Sequence, residues 1–172
     1  EPVVLHNVPD IQDVQTMRKL FMRLGVEFTD ITPHDWKVQA KNLRPADLDP
    51  DLCRKIRASI LLAGPMLARV GKLELPPPGG DVIGRRRVDT HMLALEKLGA
   101  HKKFDKNFVL ECKQLKGADI LLDEASVTAT ENAVMACVLA EGVSILRNAA
   151  SEPHIQELCQ MLNSMGANIS NI

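Results

Sequence analysis

Tyrosine is absent from the 172-residue chain, tryptophan occurs once and phenylalanine four times. So few rings exclude a base-stacking platform for single-stranded nucleic acid. An excess of one charge is also missing: 21 Lys and Arg stand against 22 Asp and Glu, a formal net charge of −1. This balance removes the basic footprint that nonspecific nucleic-acid or anionic-membrane binding needs, so any anion site must be local. The longest apolar run, Ile60 to Ala68, contains Gly64 and Pro65 and is well short of the roughly 20 residues that span a bilayer. The opening EPVVLHNVP has no starting Met, charged n-region or apolar signal core, so its first residue reads as a cut. Cys53, Cys112, Cys137 and Cys159 are scattered and form no C-x-x-C pair, which predicts reduced, buried thiols in a cytosolic protein rather than a disulfide or zinc frame. His6, His34, His91, His101 and His154 show no ligand spacing, so no metal site is expected.

What is present is an internal repeat. Segments starting at Glu1, Gly71 and Gly142 each read as a short alternating strand, a Pro- or Gly-containing turn, an amphipathic helix and a glycine stop, at Gly25, Gly99 and Gly166. The second and third also share an upstream helix, DLCRKIRASILLAGPMLARV and ASVTATENAVMACVLAE, and aligning Gly71 with Gly142 sets Thr128 at the position of Arg57. DKNFVLECKQLKGADILLDE alternates like a pair of strands around Lys116-Gly117. The unit is then β-α-β-α-β-β, used about two and a half times over residues 1–50, 51–122 and 123–172, with both chain ends inside a unit. Repeats of this kind bury their faces against one another. The expected fold class is α/β (α+β), packed as one domain with helices inside and sheets outside, an inside-out α/β barrel.

Three segments could carry chemistry. In PPPGGDVIGRRRVDTH, glycines bracket Asp81, and Arg85, Arg86 and Arg87 stand at a helix start. Backbone that approaches closely, guanidinium groups and exposed helix N–H groups make an anion site; the same residues also suit a surface loop followed by a solvated basic turn. Arg57 opens a helix whose next residues, Ala58 and Ser59, are small, and it reads either as an anion ligand or as a solvated charge. Ser126-Val127-Thr128 precedes an apolar helix, where N-capping is the simpler reading. His91, two residues after Asp89, reads as well as a helix-surface residue, Met135, Met161 and Met165 read as core filler, and Trp36 receives no role.

The strings RASILLAGPMLARVG, PGGDVIGRRRVDTH, ASVTATENAVMACVLAEG and ILRNAASEPHIQELCQMLNSMGA resemble the UDP-N-acetylglucosamine 1-carboxyvinyltransferases, a family of enolpyruvyl transferases. The resemblance runs from Asn7-Val8-Pro9 to the last residue and covers most of one domain, in a family whose full chain has two domains of three β-α-β-α-β-β units. It implies transfer of the enolpyruvyl group of phosphoenolpyruvate to the 3-hydroxyl of UDP-N-acetylglucosamine, opening peptidoglycan synthesis in the cytoplasm. No cofactor, metal, nucleic acid or membrane is implied as a partner; the missing first domain is. By position, Arg57 and Arg86 match the arginines that hold the phosphate of phosphoenolpyruvate. Arg86, Arg87, Val88, Asp89 and Thr90 match the stretch at the uracil end, and Ser126, Val127 and Thr128 the segment that meets the diphosphate. Asp81 stands at the catalytic-loop position that is a cysteine in many members, the residue that fosfomycin alkylates, so the resemblance implies insensitivity to fosfomycin.

The chain departs from the family at Glu124, where many members carry Lys, at Leu61, where some have Trp, and at Arg87, which replaces a Pro. The reading is a catalytic-loop domain, inactive as an isolated 172-residue chain. Its alternatives are the shikimate-pathway enolpyruvyl transferase and a non-catalytic fragment that binds a nucleotide sugar or a partner protein.

Overall fold

The computed structural model describes residues 1–45, 48–80 and 87–172. Its strands are β1 (Val3–Leu5), β2 (Glu27–Thr32), β3 (Asp35–Gln39), β4 (Lys72–Leu75), β5 (His101–Phe104), β6 (Phe108–Glu111), β7 (Asp119–Leu121) and β8 (Ile145–Arg147). The α-helices are α1 (Gln12–Arg23), α2 (Pro50–Lys55), α3 (Ala63–Val70), α4 (Asp89–Lys97), α5 (Val127–Cys137) and α6 (Pro153–Ser164), with a 3-10 helix at Arg57–Leu62.

The repeat is visible in the sheets. The strand order β1-β3-β2 recurs as β4-β6-β5, each with a helix before a hairpin whose second strand returns antiparallel beside the first. The third sheet is a parallel pair, β7 and β8, joined through α5. Gly25, Gly99 and Gly166 close α1, α4 and α6 at φ of +91°, +98° and +104°, a conformation that disfavours any residue with a Cβ. The three sheets stay separate among the described residues and close no barrel, while α3 and α4 pack on α5 inside.

Two sequence expectations need correction. DLCRKIRASILLAGPMLARV is not one helix: it breaks at Ile56, whose backbone is extended (φ −133°, ψ 137°) between α2 and the 3-10 helix. The two strands flanking Lys116-Gly117 exist, but β6 and β7 belong to different sheets. A third departure concerns Trp36, which lies on β3, buried, with the Arg18 guanidinium 4.6 Å from its ring and the Phe28 ring edge-on to it. Met161 and Met165 are exposed because α6 buries its other face, through Ile155 and Cys159. The four cysteines are unpaired thiols.

α5 runs through the centre because its inward face is small: Ala129, Ala133 and Ala136 are fully buried, and α3 and α4 pack against it. The closest approach is at Gly64, where an added Cβ would stand 2.4 Å from the Asn132 carbonyl oxygen. Overpacking a rigid contact of this kind costs about 1–3 kcal/mol. Gly64→Ala should therefore lower the urea midpoint more than Gly166→Ala, whose Cβ meets nothing within 4 Å and adds only backbone strain. Equal losses at the two positions would contradict the central packing of α5.

Candidate functional site

Three helix starts meet on one side of the core: the 3-10 helix beginning at Arg57, α4 at Asp89 and α5 at Val127. Each leaves first-turn N–H groups without an intrahelical acceptor. Val88 precedes α4 without a side-chain cap, whereas the Ser126 hydroxyl caps α5 by accepting from the Ala129 N–H at 3.4 Å. The N-capping expected of Ser126 is thus present, by this serine alone.

The chain leaving β4 is fastened beside Arg57. The Gly79 N–H donates to the Cys53 carbonyl at 3.0 Å and the Gly80 N–H to the Arg54 carbonyl at 3.1 Å. A Cβ at residue 79 would sit 1.7 Å from the Arg54 oxygen, so only glycine passes there. The Arg57 guanidinium in turn donates to the Arg87 carbonyl at 2.8 Å. Gly80 and Arg87 flank residues 81–86, so both flanks of that segment are held at one helix junction. Asp81, Arg85 and Arg86 themselves lie outside the described residues.

Around Arg87 the charge is mixed. Its guanidinium pairs with the Asp89 carboxylate, which is the main cause of its raised pKa, and Asp123 and Glu124 act in the same direction. Glu124 therefore adds negative charge beside Arg87. The Thr90 hydroxyl donates to Asp123 at 2.6 Å, which ties the start of α4 to the turn before α5. Leu61, the other departure, packs against the core.

Sequence reasoning missed two members of this cluster. His91 is buried, 2% exposed, rather than on the helix surface. Its Nδ1 lies 3.0 Å from Asn132 Nδ2 and its Nε2 3.1 Å from Thr128 Oγ1. Asn132 is fully buried; its Oδ1 accepts from the Gly64 N–H at 2.8 Å and its Nδ2 donates to the Ile60 carbonyl at 2.8 Å. The signal for both was periodicity: His91, Leu95 and Leu98 fall at i, i+4 and i+7, and Asn132 shares its face with Ala129, Ala133 and Ala136. The structure thus brings Arg57, Arg87, Val88, Asp89, Thr90, Ser126, Val127 and Thr128 onto one side of the core. A recess of about 680 Å³ lies between α5, α6 and residues 168–172, and among the described residues no Arg, Lys or His lines it. That recess is unsuited to an anionic ligand.

Burial, and then the Arg57 charge, push the His91 pKa down from 6.5 to about 4. A lowered histidine pKa favours folding above the unfolded value and loses that advantage as pH falls. The stability contributed by neutral His91 is thus complete above pH 6.5 and declines toward pH 4, by about 3 kcal/mol in total. Urea unfolding of the wild type and His91→Gln across this window should show the wild type losing more stability on acidification, by about that amount. Parallel pH profiles would contradict a buried, neutral His91.

The sequence profile of the family described as EPSP synthase (3-phosphoshikimate 1-carboxyvinyltransferase) matches residues 1–172. Proteins called UDP-N-acetylglucosamine 1-carboxyvinyltransferase are similar along the whole chain. The one from Treponema denticola is 58% identical over 172 residues, covering 100% of this chain and 40% of its own length. The one from Bradyrhizobium diazoefficiens is 55% identical over 171 residues, covering 99% and 40%. Among solved structures, the enolpyruvyl transferase NikO from Streptomyces tendae superposes with a TM-score of 0.83 at 19% identity, over 98% of this chain and 40% of NikO. EPSP synthase from Acinetobacter baumannii gives 0.76 at 17% identity, over 99% of this chain and 40% of that one. The chain therefore spans 40% of the length of these relatives. With a family profile matched from end to end and a shared fold, the chain belongs to the EPSP synthase (3-phosphoshikimate 1-carboxyvinyltransferase) family and has the enolpyruvyl transferase fold.

Proposed function

We propose that the natural protein containing this chain transfers the enolpyruvyl group of phosphoenolpyruvate to the 3-hydroxyl of UDP-N-acetylglucosamine, the first committed step of peptidoglycan synthesis, in the cytoplasm. The chain supplies the catalytic-loop domain, its units spanning about 1–50, 51–122 and 123–172, and works against a first domain of the same protein. The observation that carries this reading is identity of 44–58% along the whole chain to proteins of that name. The clustering of helix starts around Arg57 supports it, since a phosphate and a carboxylate must be held while charge develops. No helix among the described residues is long and apolar enough to cross a membrane.

The reaction assigns roles. The sugar 3-hydroxyl gives its proton to a general base of the first domain as its oxygen bonds to C2 of phosphoenolpyruvate and C3 takes a proton from the acid, giving a tetrahedral ketal. Loss of a C3 proton and cleavage of the C2–O bond to phosphate then yield the enolpyruvyl ether and free phosphate. Arg57 and Arg86 hold the phosphate, and Asp81 delivers the C3 proton, a task that a carboxyl can perform once a closed site raises its pKa. Arg86, Arg87, Val88, Asp89 and Thr90 take the uracil end, and Ser126, Val127 and Thr128 meet the diphosphate. Arg87 stands beside Glu124 and offsets part of its negative charge.

The test uses the full natural chain. Phosphate release should require UDP-N-acetylglucosamine, and 3-phosphoshikimate should not replace it; the opposite preference would return the chain to the shikimate branch. Arg86→Ala should lower kcat/KM by at least about tenfold, the cost of one charge-assisted hydrogen bond, whereas Arg85→Ala should change it little. Fosfomycin should leave the wild type active and form a covalent adduct with Asp81→Cys, because a carboxylate is a much poorer nucleophile than a thiolate. Asp81→Asn should lose most turnover. An adduct on the wild type, or full activity in Asp81→Asn, would contradict the assignment of Asp81.

A further inference from the structure

The hydrogen bonds around Asn132 fix the direction of every proton in a short chain. The Gly64 N–H can only donate, so the Asn132 atom facing it at 2.8 Å is the oxygen. The Ile60 carbonyl can only accept, so the amide nitrogen faces it at 2.8 Å. The second N–H of that amide is then left for His91 Nδ1, 3.0 Å away, which must present its lone pair. With Nδ1 unprotonated, the neutral ring carries its hydrogen on Nε2 and donates it to Thr128 Oγ1 at 3.1 Å. Thr128 is thereby an acceptor toward the core, and its own hydroxyl proton is available to a second group.

Comparison with the other helical threonines shows that this wiring is unusual. Thr16 and Thr130 donate to the carbonyls four residues back, Gln12 and Ser126, each at 2.8 Å, and Thr90 donates to Asp123. For Thr128 the carbonyl four residues back belongs to Glu124, which accepts from the Ser126 N–H at 2.8 Å. Thr128 is half-buried at the second position of α5, beside first-turn N–H groups that also need an acceptor. A hydroxyl held as a donor at a helix start complements an anionic oxygen.

We propose that Asn132 and His91 are positioning residues that hold the Thr128 hydroxyl as a donor to a phosphate oxygen of the nucleotide sugar, through the hydrogen-bond chain that runs from the Gly64 and Ile60 backbone to α5. The identity of the ligand rests on the functional reading above; the direction of the chain rests on the geometry alone. His91 touches no substrate in this arrangement and acts through Thr128. Gln at residue 91 can still supply a donor near the Nε2 position, whereas Leu cannot.

The experiment has two arms on the full natural chain. Nitrogen-15 spectra of the histidine-labelled protein at neutral pH, assigned with His91→Gln, should show His91 Nδ1 as the unprotonated and Nε2 as the protonated nitrogen. Steady-state kinetics should show that Thr128→Val and His91→Leu each raise KM for UDP-N-acetylglucosamine by about tenfold while KM for phosphoenolpyruvate moves less than about threefold. His91→Gln should recover most of the loss, and the double variant should be no worse than either single one, as expected of residues acting as one unit. A protonated Nδ1, or a nucleotide-sugar KM unmoved in Thr128→Val, overturns the proposal and leaves the functional reading standing. A wild type that does not turn over UDP-N-acetylglucosamine overturns the functional reading and, with it, the ligand named here.

Discussion

Within an apolar core, one buried amide ties α5 to three neighbouring elements. Asn132, fully enclosed, joins α5 to the Ile60 carbonyl of the 3-10 helix, to the Gly64 N–H at the start of α3 and to His91 on α4. Leaving a buried polar group unpaired costs about 1–3 kcal/mol, so the amide favours the one arrangement of three neighbours that satisfies both its ends. Apolar contacts between alanine-lined helices would tolerate a shift along the axes, and hydrogen bonds to fixed backbone groups do not. The alanines on α5 and the glycine at residue 64 allow the close approach on which those bonds depend.

The site follows from that constraint. With α5, α4 and the 3-10 helix fixed against one another, their starts converge, and uncapped N–H groups accumulate at one place. Arg57 occupies the junction, its guanidinium linked to the Arg87 carbonyl, while Gly79 and Gly80 bind the backbone just before it. A chain with a formal net charge of −1 gains local positive potential from a few guanidinium groups and helix ends. The Asp89 carboxylate pairs with Arg87, and the charges of Asp123 and Glu124 nearby limit that potential further.

Much of this organisation could be read from the residues before any coordinates. The glycine stops were visible because a left-handed residue after an apolar helix is a local requirement, and they disclosed the repeat that recurs in the sheet orders. Other features depend on partners far along the chain. The break at Ile56 accompanies the docking of Gly79 and Gly80 on the end of α2, contacts made across more than twenty residues of sequence. Trp36 is buried because Arg18 and Phe28, from other elements, cover its ring. His91 and Asn132 sat on core faces by period but were polar by type, and composition outweighed spacing. The resemblance implied that Arg57 and Ser126 to Thr128 share one site, and it carried no sign of the hydrogen bonds that His91 makes to Thr128 and Asn132.

In the proposed site, helix starts fixed through Asn132 form the surface that receives an anionic ligand. A crystal structure of the full natural chain with UDP-N-acetylglucosamine bound tests it most directly. The diphosphate should lie within hydrogen-bond distance of Thr128 Oγ1 and the first amides of α5, with His91 Nδ1 still facing Asn132. A nucleotide sugar bound away from the starts of α4 and α5, or an Asn132 amide turned away from Gly64 and Ile60, would contradict it.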